Sequence, residues 1–158
     1  MIRDNKRIQE QEKRNYDRAT EIFNKILANK HPQFQQMPEF SVSDMRMQVA
    51  TNQYNIELKG RSTSIYEYNE QPLKVKKYIN LVKDTKPNET LLYMAIIDDG
   101  NWYIWNLSNL DWRTVKLDNM TSKKQEYNIG GSEYVCEPYF FLPLDTACLT
   151  SVKNNSII

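Results

Sequence analysis

Two stretches decide the fold: Ser43-Asp44-Met45-Arg46-Met47-Gln48-Val49 and Tyr54-Asn55-Ile56-Glu57-Leu58-Lys59-Gly60-Arg61. In the first, Met45, Met47 and Val49 alternate with Asp44, Arg46 and Gln48. In the second, Tyr54, Ile56 and Leu58 alternate with Asn55, Glu57 and Lys59. A period of two with one apolar and one polar face is the pattern of a half-buried strand. Thr51-Asn52 joins the two segments, so an antiparallel hairpin is expected. Glu57 and Lys59 then leave one strand face about 7 Å apart. Asp44 lies on the polar face of the preceding strand, so the three side chains can converge.

Upstream of the hairpin, Tyr16, Ala19, Phe23, Ile26 and Leu27 recur at helical spacing. That helix should end near Lys30, because Pro32 disfavours helical geometry before it. Residues 1–15 are almost wholly polar and form either a helical extension or an arm. Downstream, a second helix is expected from Pro72 to Lys83. Pro72 suits a first helical turn, and Val75, Tyr78, Ile79 and Val82 form the apolar stripe. Leu91 to Ile97 reads as a buried strand and Trp102 to Trp105 as its hairpin partner across Asp98-Asp99-Gly100. Trp102, Trp105 and Trp112 read as core aromatics, and the Asp98-Asp99 pair as a turn. Residues 118–133 read as loop, Tyr134 to Leu142 as a last strand, and 145–152 as a short helix capped by Asp145. The fold class is therefore α/β, a central mixed β-sheet flanked by helices in a single domain over 1–158.

Composition narrows the function. The 158 residues are 40% hydrophobic and 26% charged, and 21 basic against 20 acidic residues leave a net charge of +1. Such a balance excludes coating of nucleic acid by bulk charge, though not a local site. No apolar run approaches the roughly 18 residues of a membrane span, and the first residues lack a signal-peptide core. A cytoplasmic protein with no membrane partner is expected. Cys136 and Cys148 then read as reduced core residues. With His31 they are too few for a four-ligand zinc site, and His31 lacks the surroundings of a catalytic histidine.

Paired carboxylates beside an ammonium suit phosphodiester hydrolysis. Carboxylates hold a hard cation such as Mg²⁺, which prefers oxygen ligands. A bound metal makes water a better nucleophile and neutralises phosphate charge, and a lysine can orient that water.

Asp44, then Glu57-Leu58-Lys59 on the next strand, then a helix and a buried strand, resembles the PD-(D/E)XK nuclease superfamily with its restriction-endonuclease-like core. The resemblance spans roughly residues 16–106, and more loosely Tyr139 to Leu144. It implies a Mg²⁺-dependent endonuclease acting on DNA, with Mn²⁺ as a substitute metal. It implies Asp44 and Glu57 as metal ligands, the Leu58 carbonyl completing the metal shell and Lys59 as the catalytic lysine. Glu21 is the candidate for a glutamate supplied by the first helix, and a homodimer is implied where both strands are cut. Arg61, Lys74 and Lys77 are candidate phosphate contacts. Asp4-Asn5-Lys6 and Asp84-Thr85-Lys86 match the same tripeptide pattern without its strand setting. Pro38-Glu39 supplies a literal Pro-acid pair, but Glu39 would project from the opposite strand face to Asp44. The competing reading of Asp44, Glu57 and Lys59 is a solvated strand face with cross-strand charge pairs, Arg46 among them. The alternative functions are a catalytically inactive nuclease-fold module binding nucleic acid or a protein, and an unrelated interaction module.

Overall fold

A computed structural model describes residues 5–123 and 134–152. The first helix, α1 (Asn5–Ile26), includes most of the polar N-terminal stretch, so that stretch is a helical extension. A 3₁₀ turn over Ala28–Lys30 follows, ending at His31 in the left-handed region. The connection to the hairpin holds an unforeseen strand, β1 (Gln33–Gln36). Its sequence, Gln-Phe-Gln-Gln, offers one apolar side chain because it is an edge strand with little to bury. The hairpin is as expected: β2 (Met45–Val49) pairs antiparallel with β3 (Asn52–Arg61), Met45 opposite Ile56 and Arg46 opposite Asn55.

After a short helix, α2 (Ile65–Tyr68), the structure departs from expectation at Pro72. Pro72 sits inside β4 (Glu70–Lys74), and the helix α3 (Val75–Asp84) starts only afterwards. β4 is the edge of a second sheet, where a residue without an N–H is tolerated. The buried face of α3 also differs: Leu81 is fully buried, whereas Ile79 and Val82 are exposed. The helix is rotated so that Tyr78 and Leu81 join the core.

Then come β5 (Glu89–Ile97), β6 (Trp102–Asn106), β7 (Lys116–Lys123), β8 (Tyr134–Pro143) and β9 (Leu149–Thr150). β7 occupies the start of the expected 118–133 loop; residues 124–133 lie outside the described ones. Its polar sequence fits an edge strand of the second sheet. The expected C-terminal helix is instead a 3₁₀ turn, Leu144–Thr146, and the short strand β9. Neither cysteine is in the core: both are free and exposed, on β8 and just before β9. The Asp98-Asp99 pair does form a turn, closed by Gly100 N–H donating to Ile97 C=O.

The fold is α/β with a mixed six-stranded sheet ordered β1-β2-β3-β5-β6-β9 and a three-stranded sheet ordered β4-β8-β7. β3 and β5 are parallel, and their pairing runs from Gln53–Glu89 to Arg61–Ile97. One face of the large sheet packs Met45, Met47, Ile56 and Leu58 against Ala19, Ile22 and Phe23 of α1. The other face packs Tyr93, Ala95, Tyr103 and Trp105 against Leu81 of α3 and Leu73 and Leu142 of the small sheet. Trp105 is fully buried and Trp112 packs against Tyr78 and Phe140, as core aromatics should. Among the described residues no helix is long and apolar enough to cross a membrane.

Candidate functional site

The site arises from a mismatch in strand length. β2 pairs with β3 only as far as Met45–Ile56, while β5 accompanies β3 to Arg61. From Glu57 to Arg61, β3 therefore has an edge that β2 does not cover. At this edge the Asp44 side chain takes the place of the missing strand. Its Oδ2 accepts a hydrogen bond from Leu58 N–H at 2.7 Å. The N–H and C=O of one strand residue face the same neighbour, so the Leu58 carbonyl also opens toward this edge.

Glu57 follows Ile56 on β3, its carboxyl meets that of Asp44, and it is 7% exposed. Burial, a hydrogen bond shared with Asp44 and the charge of Asp44 push its pKa up to about 9. The Lys77 ammonium, 2.7 Å from Glu57 Oε2, opposes this rise without cancelling it. Oε2 is fully enclosed, and Lys77 approaches it off the axis of a good hydrogen bond. Lys77 also donates to the Val42 carbonyl. With α3 in its observed rotation, Lys77 faces the site.

Lys59 follows at the cleft mouth. Loss of solvent around its ammonium, and the neighbouring Arg61 charge, lower its pKa below the ordinary lysine value. The residue as a whole is nonetheless exposed. Arg61 is oriented by Gln71, whose Oε1 accepts from its Nε at 3.1 Å. Gln71 is fully buried and donates in turn to the Tyr93 hydroxyl at 3.0 Å. Lys74 stands on β4, 3.4 Å from Glu137.

The middle of the hairpin's polar face is covered, while Gln48 and Lys59 remain exposed. Asn55 is fully buried and donates to Asp84 Oδ2 and Thr85 Oγ1. Arg46 pairs with Glu89 at 2.8 Å, and Ser43 Oγ donates to Asp84 Oδ2 at 3.1 Å. Burial, the largest single influence, would raise the Glu89 pKa, but the Arg46 hydrogen bond, the Lys86 N–H and the charges of Arg46 and Lys86 together hold the carboxyl below its ordinary value. This network ties the C-terminal end of α3 to the hairpin beside Asp44.

The residues enclose a cleft of about 1180 Å³ lined by Asp44, Glu57, Leu58, Lys59, Arg61, Lys74 and Lys77. Every candidate except Glu21 is therefore brought together. Glu21 is exposed and paired with Arg18 at 3.1 Å. The helix face over the cleft carries Ile8, Gln11, Glu12 and Asn15. Glu12 and Glu21 are nine residues apart, about two and a half turns, so they point opposite ways. The signal for Glu12 was the core stripe itself: Ala19, Ile22 and Phe23 continue back through Asn15, Glu12, Gln11 and Ile8 at three- and four-residue steps. Glu39 is in a turn at the rim, its Oε2 accepting from Gln9 Nε2 at 3.0 Å.

The donor set fits a hard divalent cation. It consists of oxygen atoms, two carboxylates share one enclosed space, and Glu57 Oε2 lacks a well-aligned partner. Among the described residues there is no cluster of three or more His, Cys, Asp or Glu side chains, so a carbonyl would have to complete the shell. The chain matches no protein-family model and no curated protein.

Proposed function

We propose that this protein is a Mg²⁺-dependent nuclease hydrolysing phosphodiester bonds of DNA on a restriction-endonuclease-like core, in the manner of the PD-(D/E)XK superfamily. The observation that carries this reading is the Asp44–Glu57 pair at the uncovered edge of β3, with the Leu58 carbonyl and Lys59 beside it. Asp44, Glu57 and the Leu58 carbonyl would hold the cation; Mn²⁺ suits the same oxygen donors. When bound, the metal supplies an acidified water and neutralises phosphate charge. Lys59 orients the attacking water and stabilises charge developing on the phosphate. Water oxygen bonds to phosphorus, the phosphorus–oxygen bond to the departing strand breaks, and the leaving oxygen takes up a proton. Arg61, held by Gln71, and Lys74 contact flanking phosphates and position the strand. Cutting both strands of a duplex at once would take two such sites, which a homodimer would supply.

A second reading has its own observation. Lys77 places an ammonium on Glu57, which can neutralise the carboxylate pair without a metal. On that reading the cleft binds nucleic acid and does not cut it.

A plasmid-nicking assay separates the two. Nicking that needs Mg²⁺, stops with EDTA and is lost in both Glu57→Ala and Lys59→Ala supports the nuclease. Retained DNA binding with no nicking of supercoiled, linear or single-stranded DNA overturns it in favour of the binding module.

A further inference from the structure

The rim of the cleft carries an aromatic residue in an unusual position. Pro38–Ser41 form a β-turn closed by Ser41 N–H donating to Pro38 C=O at 3.1 Å. Phe40 occupies the third position with φ of 69°, while Glu39 has an ordinary negative φ. This is the pattern of a type II turn, which calls for Gly or Asn at that position. A bulky aromatic there is strained, and packing does not compensate, because Phe40 is 95% exposed. The other non-glycine residues with positive φ, His31, Ala50 and Asn69, are smaller or of types that tolerate it better.

The turn is also held in place. Met37 N–H donates to the Asp44 carbonyl at 3.0 Å, closing the loop, and Gln9 of α1 binds Glu39. Phe40 is thus fixed at the lip of the same cleft that holds Asp44. Its neighbours Glu39 and Ser41 are exposed and polar and Pro38 adds only a small apolar surface, well short of the contiguous apolar patch that a protein partner requires. A single flat ring among polar groups, beside a cleft with basic residues, matches the surface on which an unpaired base stacks.

We propose that Phe40 is the base-stacking residue of this cleft and that the preferred substrate is single-stranded or locally unpaired nucleic acid. This rests on the reading of the cleft as a phosphodiester site and specifies its substrate. Phe40 takes the base while Arg61 and Lys74 take the backbone. A fully paired duplex keeps its bases stacked on one another and does not offer one to the ring.

The test measures binding apart from cutting. Fluorescence anisotropy of a labelled oligothymidylate of about 12 nucleotides, and of a duplex of equal length, is followed in EDTA for wild type, Phe40→Ala and Phe40→Trp. Circular dichroism confirms that the variants fold. The expected result is about a tenfold loss of single-strand affinity in Phe40→Ala, little change on the duplex, and recovery in Phe40→Trp. Equal single-strand affinity in wild type and Phe40→Ala, an equal loss on both substrates, or no single-strand binding by wild type overturns the proposal. Stacking lost in Phe40→Ala without Mg²⁺-dependent cleavage by wild type upholds the role of Phe40 and removes the hydrolase reading.

Discussion

Glu57→Gln isolates the charge at the centre of the cleft. The folded chain raises this carboxyl from an ordinary 4.5 to about 9. Between those values the folded state holds a proton that the unfolded state has released. The stability this proton confers is full below the unfolded pKa and is lost as pH rises through the folded one. Each pH unit in the window removes about 1.36 kcal/mol at most. From pH 7 to pH 9 the loss is about 2 to 3 kcal/mol. Gln has nearly the same shape, can still donate to Asp44 and does not titrate, so the variant lacks this slope. The assay is urea denaturation of both proteins in EDTA from pH 6 to pH 9. Titration of Lys59 is common to both and largely cancels in the difference. Between pH 7 and pH 9 the wild type should lose about 2 to 3 kcal/mol that the variant keeps, and the slope of the difference should flatten only below the unfolded pKa. Excess Mg²⁺ should restore the wild type selectively, because a cation favours the charged form. Parallel pH profiles would refute the argument that Glu57 is buried against a like charge.

Other substitutions probe the surroundings. Asp44→Asn keeps an oxygen for the Leu58 N–H but removes the charge; calorimetry should show Mn²⁺ binding lost while the fold survives. Glu89→Ala takes the 2.8 Å partner from the half-buried Arg46 and leaves it Asp84 at 3.4 Å, which should cost about 1 to 3 kcal/mol in a denaturation experiment. Phe40→Gly relieves the positive φ and should raise stability by about 1 kcal/mol; a fall would contradict the strain. Lys59→Gln should abolish nicking at neutral pH with no loss of thermal stability, since burial already disfavours its charge.

The hairpin was legible because one period of two covers both strands and one face is apolar. Its register followed, and with it the meeting of Asp44, Glu57 and Lys59. The order helix, hairpin, helix, strand pair was legible for the same reason. What failed depended on neighbours far away in sequence. Pro72 and the apolar residues after it form a plausible helix start, yet pairing of β4 with β8 overrides that local preference. β1 and β7 are polar because they lie at sheet edges, and edge strands lack the alternation that marks a half-buried strand. The burial of Asn55 and Glu57 was hidden because polar residues on an alternating strand ordinarily face water; here α3 and the small sheet cover them. Glu21 rested on the family resemblance alone, and direction around the helix axis puts Glu12, not Glu21, over the cleft.

A cleft made by stopping one strand early is also an unfinished sheet. The uncovered stretch of β3 offers backbone groups to any extended chain, including another copy of this one, which is the usual route to edge-to-edge aggregation. The Asp44 carboxylate occupies the first of these groups. Gln11 and Asn15 of α1 come within 3.5 Å of where a side chain at Gly60 would begin, so α1 closes the face of this stretch. Lys59 and Arg61 add charge along it. The residues that build the site therefore also guard the molecule's solubility. Variants that silence the site should replace charge with polarity, not with apolar bulk, or precipitation will be mistaken for loss of activity.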